Sequence, residues 1–119
     1  MACRTNTNKK ITPFEQWETK NANGVEKRYF RMGATLMASE PMRSLSPSAF
    51  KTYCYMRIES AGNRSFKFPH AKYRSYMSKP TFQKAKRELI DKGFIDVIQS
   101  NKNLRKSNIY AFSDRWKIL

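Results

Sequence analysis

The clearest alternation of apolar and polar positions lies in "SKPTFQKAKRELIDKGFIDV", residues 78–97. Phe82, Ala85, Leu89 and Ile90 recur at the 3.6-residue period, which predicts a helix with one buried stripe. On the same wheel Pro80, Gln83, Lys84, Arg87 and Asp91 point away from that stripe. Thr81 and Glu88 lie to one side, and Lys79 and Lys86 flank the apolar edge. Ser78 is placed to cap the amide of Thr81, because Pro80 has no amide to offer. Gly93 suits the left-handed position past the helix end, with Phe94 placed to touch Leu89 as in a Schellman motif.

A second helix is predicted in "LSPSAFKTYCYMRIESAG", residues 45–62, with Ser46 as N-cap and Pro47 at the first helical position. Leu45 and Phe50 have the spacing of a hydrophobic staple, Phe50, Tyr53, Cys54, Ile58 and Ala61 define a buried face, and Gly62 ends the helix. "SFKF" (65–68) reads as a brief strand stopped by Pro69. "HAKYRSYM" (70–77) reads as a short helix with Ala71, Tyr73, Tyr76 and Met77 as its apolar contacts. Two further strands, 94–99 and 108–112, flank "SNKNLRKS", a polar, basic spacer that suits a hairpin loop. In the closing "SDRWKIL", Trp116, Ile118 and Leu119 are expected on the core.

The N-terminal part is less regular. Residues 1–10 are polar and basic and read as an arm. "TPFEQWE" reads as a helical turn capped by Thr12, with Pro13 at its first position and Glu15 completing a capping box. "NANG" (21–24) reads as a turn, "VEKRYFRM" (25–32) as an extended segment, and "ATLMASEPMRSL" as a short helix interrupted at Pro41. The order from residue 45 onward is helix, strand, helix, helix, strand, basic loop, strand. That order predicts an α+β winged helix-turn-helix domain over residues 28–119: a three-helix core, a small antiparallel sheet and one basic wing, behind an N-terminal extension of residues 1–27.

Charge adds a partner to this picture. The chain has 119 residues, the length of one domain, with 24 Lys and Arg against 9 Asp and Glu, a net +15. Residues 1–60 hold ten basic and five acidic residues, whereas residues 61–119 hold fourteen and four. Between Ala61 and Arg87 there are eight basic residues and no acidic one. A single-sign field of this kind repels itself and is expected to meet a polyanion. No apolar run reaches 18 residues and the N-terminus lacks an apolar h-region, so neither a membrane span nor a secretory signal is expected. Cys3 and Cys54 form no CxxC, Cys54 reads as a small buried hydrophobe, and a reducing cytoplasm fits.

Duplex DNA is the expected polyanion, and side-chain chemistry assigns roles. The reading helix offers Ser78, Lys79, Thr81, Gln83, Lys84 and Arg87. Gln83 can pair with adenine N6 and N7, and Arg87 or Lys84 with guanine O6 and N7 or a phosphate. Thr81 can bond a base or phosphate and touch a thymine methyl. Lys72 and Arg74 on the preceding helix suit phosphates. In the wing, Lys102, Arg105 and Lys106 with Asn101 and Asn103 suit a minor groove. Glu88 and Asp91 are expected to form i, i+4 pairs, Lys84 with Glu88 and Arg87 with Asp91.

Catalysis is not expected. His70 has no partner in its surroundings, there is neither GxxxxGK[ST] nor GxGxxG, and no set of zinc ligands or other cofactor site is visible. RNA binding or a protein-adaptor role is the alternative class. An RNA reader more often displays exposed aromatics, whereas Tyr73, Tyr76 and Phe82 are expected to pack.

"LSPSAFKTYCYM", "FPHAKYRSYMSKPTFQKAKRELIDKGFIDV" and "NIYAFSDRWKIL" resemble small winged helix-turn-helix proteins of Gram-positive mobile elements. These include DNA-binding domains of plasmid replication initiators and accessory factors of conjugative relaxosomes. The resemblance covers roughly residues 28–119. It implies sequence-specific binding of double-stranded DNA, frequently as a homodimer on repeated or palindromic sites near an origin, with relaxase or replication proteins as further partners. A winged-helix transcriptional regulator is the other role it implies. The reading helix of the family then falls on Ser78–Lys92 and its wing on Ser100–Ser107. Residues 1–27 have no place in a minimal winged helix.

Overall fold

The computed structural model describes residues 30–100 and 107–118. The elements in chain order are α1 (Ala34–Ala38), α2 (Glu40–Arg43), α3 (Pro47–Ser60), β1 (Ser65–Lys67), a 3-10 turn (His70–Lys72), α4 (Lys79–Asp91), β2 (Ile95–Gln99), β3 (Ile109–Phe112) and a second 3-10 turn (Arg115–Ile118). The architecture is α+β, with helices packed on a small antiparallel sheet of order β1-β3-β2. Among the described residues no helix is long and apolar enough to cross a membrane. Thr12, Pro13, Glu15, the "NANG" turn, the arm, Cys3, residues 101–106 and Leu119 lie outside the described residues.

α3 and α4 begin as their sequences dictate. Ser46 Oγ accepts the amide of Ala49, and Ser78 Oγ accepts the amide of Thr81, each with proline in the first turn. α4 ends in a full Schellman motif: Phe94 N–H donates to Leu89 O at 2.9 Å and Gly93 N–H to Ile90 O at 3.1 Å. Gly93 has φ +84°, and a Cβ there would lie 2.6 Å from Trp116 N, so only glycine fits.

Several expectations are corrected. α3 turns Ala49, Thr52, Tyr53, Met56 and Ser60 inward, while Phe50, Cys54 and Ile58 are half-buried and Ala61 is exposed. Thr52 and Ser60 tolerate burial because their hydroxyls donate to carbonyls of their own helix, Ser48 O and Arg57 O. Ala61, rather than Gly62, takes the left-handed C-cap, with φ +51°. The segment at 70–77 is a 3-10 turn followed by irregular turns, not an α-helix, and Ala71 is exposed. Tyr73 is buried there, stacked against Phe82 at 4.1 Å and Phe68 at 6.0 Å. The break between α1 and α2 falls at Ser39, which accepts the amide of Met42 and starts α2 with Pro41 in its first turn.

Of the extended segment expected at 25–32 only residues 30–32 are described; they belong to no helix or strand, and there the Arg57 guanidinium lies over the Phe30 ring and donates to Arg31 O. Trp116 packs on the core as expected, but Ile118 is 84% exposed.

The core runs between α3, α4 and the sheet. Met56, Leu89, Phe94 and Ile95 are its largest fully buried apolar side chains, joined by Tyr53, Phe66, Phe68, Tyr73, Phe82 and Tyr110. At roughly 1.5–3 kcal/mol per buried large side chain, this one cluster supplies the main driving force for folding. Its effect on function is positional: it fixes the apolar stripe of α4 and leaves the opposite face in water.

Candidate nucleic-acid interface

Two long-range contacts orient α4. Glu88 receives the amide of Ser46 at 2.7 Å on one carboxylate oxygen and the Ser46 hydroxyl at 2.8 Å on the other. This replaces the expected Lys84–Glu88 pair: Glu88 reaches across to α3. At the other end, the Arg115 guanidinium donates to Ile90 O at 3.0 Å, Ile95 O at 3.1 Å and Asp96 Oδ1 at 2.6 Å. It thereby ties the last turn of α4 to the first residues of β2.

The face left exposed carries Lys79, Gln83, Lys84, Arg87 and Asp91. The expected Arg87–Asp91 pair is not formed either. Among the described residues, Lys84, Arg87 and Asp91 enter no ion pair. Ser78 and Thr81 serve the helix itself: the Ser78 hydroxyl donates to Thr81 Oγ1 at 2.9 Å, and Thr81 is half-buried. Their hydroxyls are therefore less available to a ligand than those on an open face.

A cleft of about 610 Å³ separates this face from the β2–β3 hairpin, lined by Gln83, Lys86, Arg87, Ile90, Asp91, Val97, Ser100 and Asn108. Periodicity leaves Ser100, Val97 and Asn108 unassigned, because their approach to α4 depends on how the hairpin crosses the helix. A bulge between Val97 and Gln99 shifts the register of β2 against β3, and Ile98 is 60% exposed beside it. Lys86 is half-buried, its ammonium 5.9 Å from the centre of the Phe82 ring and 6.0 Å from that of Tyr110. Its stem covers the apolar edge while its charge reaches the cleft mouth. Burial pushes the Tyr110 hydroxyl upward, with the Asn108 side chain acting the other way.

Lys72 and Arg74 are exposed on the turn before α4, but Lys72 pairs with Glu59 of α3 at 3.4 Å. The acid-free stretch of the sequence is therefore not acid-free in space. Asn101, Lys102, Asn103, Arg105 and Lys106, the residues expected in a wing, lie outside the described residues. Tyr76 packs less completely than expected: it is half-buried and stacks at 4.1 Å on Tyr55, which is 37% exposed, with the Lys51 ammonium 5.4 Å from its ring centre. Cys54 is half-buried, and burial raises its thiol against the opposing influence of Arg57.

Chemically, the α4 face offers amide, guanidinium and ammonium groups in one exposed row beside a cleft of mixed polar and apolar lining. No family model, curated protein or solved structure matches this chain.

Proposed function

We propose that this chain is a winged-helix, sequence-specific binder of double-stranded DNA, not an enzyme, with α4 as its reading helix. The observation that carries this reading is the division of α4 into two faces. One face is held by Phe82, Leu89 and the Glu88–Ser46 contact, and the other presents Lys79, Gln83, Lys84 and Arg87 without ion pairs among the described residues. A net charge of +15 supports a polyanionic partner, and the β1-β3-β2 sheet with a hairpin beside α4 supports the winged-helix class. In this reading Gln83 and Arg87 meet base edges while Lys79, Lys84 and Arg74 meet phosphates. Lys102, Arg105 and Lys106 belong to the wing. The resemblance to mobile-element proteins favours an accessory role at a plasmid origin, in transfer or replication, with homodimers on repeated sites.

A second reading, single-strand or RNA binding, is favoured by Tyr55, exposed and stacked on the half-buried Tyr76 with Lys51 beside it, since such a ring can take a base. Titrating duplex and single-stranded DNA at two salt concentrations separates the two. Duplex preference with a steep salt slope, near one counterion per neutralised phosphate, supports the first. Equal or tighter single-strand binding, lost in Tyr55→Ala, rejects it in favour of the second.

A further inference from the structure

We propose that Asp91 is a specificity-determining residue of this DNA surface, a carboxylate that rejects phosphate and so penalises docking in the wrong register. The inference rests on the duplex reading above.

Among the described acids Asp91 is anomalous. Glu40 pairs with Arg43, Glu59 with Lys72, Asp96 with Arg115, and Asp114 with Arg64 and Lys117, while Glu88 is bonded to Ser46. The Asp91 side chain is exposed and forms no hydrogen bond or ion pair among the described residues, although Arg87 stands one turn before it. Nor does helix stability account for it. It is the last residue of α4, where the carbonyl end of the helix disfavours negative charge, and no basic residue occupies that last turn.

Its position points to the cleft. Asp91 lines the space between α4 and the hairpin together with Gln83 and Arg87, and sits about 12 Å along the axis from Gln83. A chain of charge +15 binds any duplex through its phosphates, so discrimination requires a cost on unwanted placements. A carboxylate at the cleft supplies that cost. Phosphates within the ~8 Å screening length repel it, and the major-groove group it accepts from is the amino group of cytosine. Docking that brings a phosphate to Asp91 is disfavoured, and docking that brings a base amino group there is not.

The test measures fluorescence anisotropy of the full chain with two duplexes: a random-sequence pool, and a duplex that the wild type has selected from such a pool. Asp91→Asn is expected to raise affinity for the random duplex about threefold to tenfold and to shrink the selected-to-random ratio correspondingly. Its thermal midpoint is expected not to fall. Glu40→Gln makes the same change in net charge on α2, and is expected to leave both affinities within about twofold. An unchanged ratio in Asp91→Asn overturns the proposal, and so does an equal effect from Glu40→Gln, which would make the cause global charge. If the wild type binds single strands as tightly as duplex, the duplex reading itself fails and the inference falls with it.

Discussion

Glu88 closes the N-terminus of α3 from 42 residues away, one carboxylate oxygen on the Ser46 amide and the other on the Ser46 hydroxyl. A capping box normally draws its carboxylate from the third residue of the same helix. In α3 that residue is Ala49, which has no acceptor, and α4 supplies one instead. The same contact therefore starts one helix and fixes the rotation of the other about its axis.

Removing either partner is expected to destabilise the fold. Ser46→Ala and Glu88→Ala should each cost about 1–2 kcal/mol, since each loses a cap or a charge-assisted bond. The double variant should cost clearly less than the sum, with a coupling of about 1 kcal/mol in urea unfolding. Additive costs would show that the two groups act independently. Lys84→Ala, by contrast, should be within about 0.5 kcal/mol of wild type, because it is exposed and Glu88 is bonded to Ser46 instead.

Arg115 performs the corresponding task at the C-terminal end of α4. Arg115→Ala removes donors from Ile90 O, Ile95 O and Asp96, and at its partly exposed position is expected to cost about 1–2 kcal/mol. Arg115→Lys should recover only part of this, because the three contacts converge on Nη2 but the Nε–H bond to Asp96 Oδ1 at 3.1 Å is lost with the guanidinium. Asp96→Ala should cost less than Arg115→Ala, since both carbonyl bonds survive. Guanidinium unfolding of the three variants checks the order, and equal losses in Asp96→Ala and Arg115→Ala would assign the stabilisation to the ion pair alone.

Glycine positions of the same backbone sign should respond differently. Gly62 has φ +87° with open space around it, whereas Gly93 has φ +84°, and a Cβ added there would stand within 2.8 Å of Trp116 N and the Arg115 backbone. Gly62→Ala is expected to cost about 1–2 kcal/mol from backbone strain alone. Gly93→Ala should exceed it by about 1–3 kcal/mol, as the C-terminal turn must move. Paired thermal melts decide the matter, and equal losses would mean that the turn at Arg115–Ile118 yields freely.

These contacts also explain what could be read from the chain and what could not. The bounds of α4 were legible because every signal lies within a few residues of its ends: Ser78, Pro80, Gly93 and Phe94. Both hairpin strands were legible from apolar runs flanking a polar spacer. The partner of Glu88 was not, because the local i, i+4 rule has no knowledge of an N-cap 42 residues upstream. The inward face of α3 is hidden from periodicity for a similar reason. Thr52 and Ser60 look polar, yet satisfy their hydroxyls on their own helix and go inside. The turn at 70–77 has helical spacing, and periodicity does not register the ring contacts of Tyr73 with Phe68 and Phe82 that accompany its tighter turn. Of the candidate site, the exposed row on α4 was visible as one side of a wheel, whereas the cleft required the hairpin to be in place.

Tyr76 gives the fold a pH dependence with a definite sign. Its hydroxyl is buried without a hydrogen-bond partner among the described residues, and burial, followed by Tyr55 and Glu59, pushes it up to about 12 from the usual 10. Burial raises Tyr73 and Tyr110 as well. A group raised in the folded state holds its proton there after the unfolded chain has released it. Its contribution is therefore complete below about pH 10 and is lost as pH rises toward about 12. Urea midpoints are expected to be flat with respect to these tyrosines up to about pH 9.5 and to fall beyond it. Tyr76→Phe keeps the ring stacked on Tyr55 and removes the unpartnered hydroxyl, so at neutral pH it should stabilise the fold by about 1 kcal/mol. It should also make the alkaline decline shallower, with Tyr73 and Tyr110 accounting for what remains. A less stable Tyr76→Phe whose alkaline decline matches wild type would show that water satisfies the hydroxyl, and that the other two tyrosines carry the titration.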